Sequence, residues 1–309
     1  MIISSDIKTK ICKFCESSLE NNVCHKCGCI TPERKVVHDD INKTFTDYCY
    51  NNYKGIRYSI YLLWIKFRVY LFVTNTKFGD SLNIFFNILT GGRPRLNLNS
   101  NEKFIDVGCG KGHFMQYLPK SWLVHGCDIV NYGIQKPNIW VGNFEKLEFK
   151  NKYSIVRASH SLEHSTNPKK FIDKLIQITE DNGLIIIYSP NSDSIAYKIF
   201  KRNWDTLTVE SHFCILNIST LTKYLEDHGC KILYTNTYTL FSSATSLINY
   251  FKIRKSSSVF VLFAILLLPL TLIEYFIKKS DSFVIYARGE GEWKGSPIRR
   301  LLSSEKDSP

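Results

Sequence analysis

The sequence predicts an α/β protein built on a doubly wound, mostly parallel sheet, and three observations predict it. Between residues 99 and 191 short apolar runs alternate with segments of other period, the pattern of strands joined by helical crossovers. The first run, Phe104-Ile-Asp106-Val, ends in a carboxylate and then in Gly108, Gly110 and Gly112. The second, Trp122 to Ile129, ends in Asp128, eighteen residues beyond Gly110, where an acid grips the ribose hydroxyls of a bound nucleoside in such sheets. Ile139-Trp-Val-Gly-Asn143 reads as a third strand, Tyr153 to Ser159 as a fourth and Asn182 to Pro190 as a fifth. A segment with i, i+4 apolar spacing at 168–180 supplies the helix between the last two.

Composition bounds the rest. A chain of 309 residues with 44% hydrophobic and 14% aromatic residues can bury a core, which excludes a disordered protein. Net charge of +12 favours an acidic partner: anionic lipid, nucleic acid or a phosphorylated substrate. Met1 to Lys10 contains no long apolar core, so a cytoplasmic protein is expected. In that compartment ten cysteines read as thiols or metal ligands. Cys12-x-x-Cys15 and Cys24-x-x-Cys27 form two knuckles, the second followed by Gly28, and tetrahedral Zn²⁺ needs two tight turns that each supply two soft sulfurs. Residues 1–35 are therefore expected to be a structural zinc knuckle, with His25 and Cys29 as substitute ligands. Glu16 stands where the first knuckle would ordinarily carry glycine.

The glycine loop selects its ligand by charge. A dinucleotide fingerprint would want Gly or Ala at position 113, where the chain has His113. A carboxylate at Asp106 would repel a pyrophosphate and attract an ammonium group. S-adenosylmethionine fits: it offers an ammonium, a carboxylate for a helix N-terminus, an adenosine and no phosphate. With Ile105-Asp-Val-Gly-Cys-Gly-Lys-Gly112, Asp128, His160-Ser-Leu-Glu-His164, Ser189-Pro-Asn191, Trp204 and His212-Phe213 in this order, residues 99–241 and 282–288 resemble a class I S-adenosylmethionine-dependent methyltransferase. Within that class they resemble the quinone and polysaccharide O-methyltransferases. The resemblance implies a Rossmann-like seven-stranded sheet closed by an antiparallel hairpin, here 231–238 with 282–288. It implies cofactor contacts from Asp106, Gly108, Gly110, Gly112, Asp128, Ile129, Asn143, Phe144 and Ser159. Asn143 would meet the adenine edge and Phe144 its face, although the family often has an acid where Asn143 stands.

Between the two hairpin strands lies an insertion, 242–280, whose stretch Val259 to Ile273 is uncharged and apolar on every face. Fifteen residues reach only about 22 Å of a roughly 30 Å hydrocarbon core, and Pro269 interrupts them. Strands on both sides must join one sheet, so the segment cannot cross a bilayer once. It reads as a re-entrant helical hairpin or a surface-lying element, with Lys252, Arg254, Lys255, Lys278 and Lys279 on headgroups. Residues 36–98 read as a helical lid and linker. Within them 54–73 mixes aromatics with Arg57, Lys66 and Arg68, and Gly91-Gly92 marks a junction. The last core strand is placed at 281–290, and 291–309 reads as a disordered tail.

Methyl transfer is an in-line displacement that needs an acceptor held at about 3–3.5 Å and, for a hydroxyl, a base. The segment after the fourth strand borders the methyl group in this fold, which makes His164 the first candidate base, His212 the second, His160 a third, and Glu163 the orienting group. Quinone methyltransferases of similar sequence use a divalent metal beside an equivalent pair, so the resemblance admits Mg²⁺ at Glu163 and His164. His160-x-x-Glu163-His164 also matches an inverted zinc-protease pattern, but His160 ends a strand and cannot share a helix face with His164. Nucleic acid is disfavoured as a partner: neither an Asn/Asp-Pro-Pro-aromatic run nor a Pro-Cys occurs, and the basic residues cluster around apolar segments. The expected activity is O-methyl transfer at the inner membrane face to a lipid-linked sugar, glycolipid or polysaccharide precursor. A prenylated quinone, an RNA or protein acceptor, and a non-catalytic membrane adaptor are the alternatives.

Overall fold

Period-two alternation in the central strands sets the layers of the molecule. The computed structural model describes residues 11–32, 56–74, 80–132, 138–254 and 256–289; the predicted linker around 36–55 and the tail from 291 lie outside them. In chain order the strands are β1 (Leu19–Glu20), β2 (Val23–Cys24), β3 (Lys103–Val107), β4 (Leu123–Asp128), β5 (Ile139–Val141), β6 (Tyr153–Ser159), β7 (Thr179–Pro190), β8 (Cys230–Tyr238) and β9 (Ser282–Gly289). β1 and β2 form a separate small hairpin, and the other seven form one sheet in the order β5-β4-β3-β6-β7-β9-β8. β3 pairs in parallel with β4 and β6, while β9 is antiparallel to both β7 and β8. The predicted closing hairpin is thus present, with its second strand inserted between the fifth strand and the first.

Side chains one residue apart face opposite layers. Ile105, Val107, Val156, Ala158, Ile185, Ile187, Phe283 and Ile285 pack with α3 (Pro168–Gln177) and α6 (Ile218–Asp227) through Ile172, Leu175, Leu221 and Leu225. Phe104, Ile155, Ile186, Val284 and Tyr286 pack the other way, against Ile65, Val69 and Phe72 of α1 (Ile56–Val73). A second helix on that side, α2 (Asp80–Thr90), ends at Gly91 and Gly92, both at positive φ. The helix starts follow local chemistry: Asn167 Oδ1 accepts from Lys170 N at 3.1 Å ahead of Pro168, and Asn217 Oδ1 accepts from Thr220 N at 2.8 Å.

One expectation fails. No α-helix follows the glycine loop; only a single 3₁₀ turn at Met115–Tyr117 forms before β4. Pro119 disfavours helical backbone at Leu118 and so leaves only residues 113–117 behind the loop, too few for an α-helix of ordinary length. A ligand at the glycine loop therefore meets turn backbone, not a helix N-terminus. The predicted helix 168–180 is also shorter, because β7 already begins at Thr179.

Two short helices, α4 (Ile195–Phe200) and α5 (Asp205–Thr208), lie before α6, and the insertion carries three, α7 (Ser242–Tyr250), α8 (Ser257–Leu266) and α9 (Leu268–Phe276), between β8 and β9. No single helix among the described residues is long and apolar enough to cross a membrane, while α8 and α9 form a pair bent by 55°. Pro269 sits in the first turn of α9, where it has no hydrogen bond to lose. Leu262, Ile265, Leu266 and Phe276 are each more than 60% exposed, so the pair presents a contiguous apolar surface. Its base is fastened by buried polar groups: Glu274 accepts from Ser243 Oγ at 3.1 Å, and Asp281 accepts from Ser242 N at 2.9 Å, Leu240 N at 3.1 Å and Thr239 Oγ1 at 3.1 Å. Burial pushes the Asp281 carboxyl up and those donors pull it back. Asp281→Ala leaves Leu240 N and the first amide of α7 without that acceptor and is expected to cost about 2–3 kcal/mol, read as a lower urea midpoint with an unchanged slope.

Candidate functional site

The carboxyl ends of β3, β4 and β6 converge on one crevice, the place where open α/β sheets bind ligands. Gly108, Gly110 and Gly112 all take positive φ, at +76°, +54° and +71°. A Cβ at Gly108 would lie 2.0 Å from Ser161 Oγ, whereas one at Gly110 would meet nothing within 4 Å. The first glycine lets the loop pass beneath the segment after β6, and the second faces an open cradle. Asp128 Oδ2 accepts from Gly110 N at 2.7 Å, and Oδ1 accepts from Val130 N at 2.9 Å. Burial raises the Asp128 carboxyl and these amides lower it again. The predicted ribose acid thus also fastens the loop.

Asp106 has a partner that the sequence reading missed. Its Oδ1 accepts from Arg157 Nη1 at 2.6 Å, with both side chains buried, and Arg157 lies 4.0 Å from the Phe114 ring centroid. The signal was available: a charged residue inside the apolar run Ile155-Val-Arg157-Ala, in register with Asp106 across β3 and β6. Phe144 is a correction. Its ring is buried against Phe171 at 4.9 Å and Phe149 at 5.8 Å, so it supports the crevice from the core and does not offer its face to an adenine. Asn143 Oδ1 accepts from Glu145 N at 2.8 Å in a tight turn. Ile129 is 40% exposed at the rim, and Ser159 is half-buried. On the α1 side, Tyr58 and Tyr61 stand edge-on to His113 of the glycine loop, so α1 packs beside that loop.

Glu163, His164 and His212 come together, with one ligand atom of each within 4.8 Å of the others. His164 does not start a helix; it ends the 3₁₀ turn Leu162–His164. Its Nδ1–H donates to Ser211 O at 2.9 Å, and His212 Nδ1–H donates to Thr206 O at 2.7 Å. In both rings the lone pair is then on Nε2. The ring centroids are 4.7 Å apart. Glu163 is fully buried: Oε1 accepts from His160 Nδ1 at 3.1 Å and Oε2 from Ser189 Oγ at 3.1 Å. His160 Nε2 in turn accepts from Tyr238 Oη at 2.8 Å. Tyr238 was not singled out by the sequence, because it carries no motif, and Ser189 was read only as part of the Ser189-Pro-Asn191 motif, with no role in the site.

Burial alone would raise Glu163, but the His160 hydrogen bond and the neighbouring imidazoles hold it down at about 2. Burial lowers His164, and burial together with His164 lowers His212 to about 3. The cluster at neutral pH is therefore one carboxylate and two neutral imidazoles. Two nitrogens and one oxygen are a poor match for Mg²⁺, which prefers oxygen ligands and keeps much of its water. The predicted magnesium does not fit this donor set.

Cys12, Cys15, Cys24 and Cys27 also cluster, their sulfurs within 4.8 Å of one another. Separations of 3.6 Å for Cys12–Cys27 and 3.2 Å for Cys15–Cys24 approach the edges of a tetrahedron drawn at about 2.3 Å from a zinc ion. The two substitute ligands are elsewhere. His25 is exposed and paired with Glu20 at 2.6 Å, and Cys29 is buried with its sulfur 2.9 Å from that of Cys214. Glu16 takes φ +62°, the conformation for which glycine is usual in such a turn.

Residues 86–235 match the family model described as a methyltransferase domain. The comparison with curated proteins gives no match. Among solved structures, magnesium protoporphyrin IX methyltransferase from Synechocystis PCC 6803 is 12% identical with a TM-score of 0.44, covering 82% of this chain and 100% of that one. N-methyltransferase NodS from Bradyrhizobium japonicum is 11% identical with a TM-score of 0.38, covering 67% of this chain and 84% of that one. Phosphoethanolamine N-methyltransferase 2 from Haemonchus contortus is 12% identical with a TM-score of 0.42, covering 69% of this chain and 53% of that one. Likenesses of this degree carry nothing about substrate. The matched stretch is thus similar to a methyltransferase domain, and the seven-stranded, mostly parallel sheet it contributes to is a Rossmann-like α/β architecture.

The titration directions fix a pH dependence. His212 has a folded pKa below its unfolded one, so its contribution is present above about 6.5 and disappears as pH falls toward about 3. Glu163 acts in the same sense, from about 4.5 down to about 2. Urea midpoints should hold steady from pH 8 to 7 and decline below 6.5. In His212→Asn the decline between pH 6.5 and 4.5 should be shallower.

Proposed function

We propose that this protein is an S-adenosylmethionine-dependent O-methyltransferase acting at a membrane face on a lipid-linked sugar, glycolipid or polysaccharide precursor. The observation that carries the proposal is that the Gly108–Gly112 loop leaves β3 and the segment bearing Glu163 and His164 leaves the adjacent β6 at the same end of the sheet, with Ser161 Oγ donating to Val107 O at 2.8 Å between them. A methyl group on sulfonium is already activated, so the chain's task is to bind, align and take a proton. Asp128 lies where a ribose would be held, and the open space over Gly110 receives the ligand backbone-on. His164 is the base: Ser211 O fixes its tautomer and its lowered pKa keeps Nε2 unprotonated at neutral pH. His212 stands beside it as the alternative base, and Glu163 holds the electrostatics of the pair.

The apolar α8–α9 surface and the lysines around it support a membrane location. Lys252 and Arg254 precede α8, and Lys278 follows α9. The bent pair fits a monotopic element that enters one leaflet. A prenylated quinone, which also reaches its enzyme from a bilayer, is the second reading. The four cysteines are read as a structural zinc site.

Titration calorimetry with S-adenosylhomocysteine should register binding, and Asp128→Ala should weaken it at least about tenfold, the loss of roughly 1.4 kcal/mol. No heat with folded wild-type protein would end the methyltransferase reading. With methyl-labelled cofactor and membrane extract, label should enter the lipid or polysaccharide fraction. His164→Ala should lower kcat about 10²-fold or more with little change in cofactor affinity. Deleting 256–279 should move the protein from the membrane to the soluble fraction; an unchanged distribution would exclude this segment as the anchor. Metal analysis should find about one zinc per chain, lost in a Cys24→Ser/Cys27→Ser variant.

A further inference from the structure

The cysteine knuckle is stitched to the loop that carries His212, mainly through residues 27–30. Ile30 N donates to Ile215 O and Ile215 N to Ile30 O, both at 2.9 Å. Cys27 O accepts from Asn217 Nδ2 at 3.0 Å and Thr220 Oγ1 at 2.5 Å, and Gly28 O accepts from Ser192 Oγ at 2.7 Å. Between these hydrogen bonds the Cys29 and Cys214 sulfurs meet in a fully buried contact. Lys13 of the first knuckle covers the Phe213 ring at 4.7 Å. The seam therefore engages residues 213, 214, 215, 217 and 220, beginning one residue after His212.

The other side of the same loop faces the catalytic crevice. Phe213 N donates to Glu163 O at 2.8 Å, and Ser211 O receives His164 Nδ1–H. The loop is thus a single layer between the knuckle and the imidazole pair. Residues 27–30 are shaped by the turn that follows Cys24: Gly28 N donates to Cys24 O at 2.7 Å, with Gly28 at φ +68°. A segment of this size has no core of its own, and a metal on its four sulfurs would be what holds the turn closed.

We infer that the knuckle is a brace for the active site: metal on Cys12, Cys15, Cys24 and Cys27 fixes residues 27–30, and through them the positions of His212 and of the Ser211 carbonyl that orients His164. Asn217, Thr220 and Ile215 are positioning residues in this scheme. It rests on the zinc and methyltransferase readings above, and it makes catalytic geometry depend on the metal state of a module that touches neither cofactor nor acceptor. Stripping the metal by a chelator or by thiol-oxidising conditions would switch the enzyme down.

Hydrogen–deuterium exchange on the full-length protein, with zinc bound and after chelation, tests the brace without any assay of methyl transfer. Chelation should speed exchange in peptides spanning 160–165 and 206–217 about tenfold or more, leave 184–188 and 283–287 unchanged, and be reversed by added zinc. Exchange that rises in 11–32 alone overturns the proposal. Should chelation unfold the whole chain, two metal-retaining variants decide. Thr220→Val removes one seam hydrogen bond, and Gly28→Ala places a Cβ 2.6 Å from Asn217 Nδ2. With zinc content and S-adenosylhomocysteine affinity unchanged, both should accelerate exchange in 206–217 and lower kcat at constant KM for the cofactor. Exchange and kcat equal to wild type in both variants refute the brace. A wild-type protein that transfers no methyl group removes the activity reading and leaves the exchange result to stand or fall separately.

Discussion

A fully buried carboxylate is the constraint around which this crevice is organised. Glu163 has no exposed surface, and an ionised group in that position must be met by donors on every side. One oxygen takes His160, which reaches on to Tyr238 at the end of β8; the other takes Ser189 near the end of β7. Its backbone carbonyl accepts from Phe213 and Cys214. Three separate parts of the sheet and the loop beyond it are tied to one residue in a 3₁₀ turn. The two neutral imidazoles beside it follow from the same arrangement, since burial opposes their protonation more than a single carboxylate favours it.

The opposite side of the sheet solves a similar problem differently. Asp106 and Arg157 lie in register on adjacent parallel strands and neutralise each other inside an apolar layer, with Phe114 covering the guanidinium. Such a pair adds little net stability once desolvation is counted, but removing either partner strands a charge. Its position directly beneath the glycine loop links the conformation of that loop to an interaction that no ligand needs to supply.

Much of this was readable from residues alone. The strand-and-helix alternation gave the sheet, the spacing from Gly110 to Asp128 gave the crevice, and the Cys-x-x-Cys pair gave a cluster whose sulfurs do converge. What was not readable depended on direction. Phe144 is three residues past the end of β5 in a turn closed by a hydrogen bond to Asn143, and its ring goes inward. The helix expected after Gly112 required room that Pro119 denies. Tyr238 and Ser189 reach the site only because strands far apart in sequence end at the same edge, a fact of topology that local pattern does not hold.

The placement of β9 has an outcome for how the chain comes to be folded. This strand is the last core element to be made, yet it sits between β7 and β8 and pairs with both. Until residues 282–289 leave the ribosome, β8 has no neighbour within the sheet, and the whole apolar α8–α9 pair has already emerged. During synthesis the greasy segment is therefore displayed by a domain that is still open along one seam. A lipid surface or a chaperone would meet it before the fold is complete, so capture of the apolar segment and closure of the sheet become successive steps of a single event.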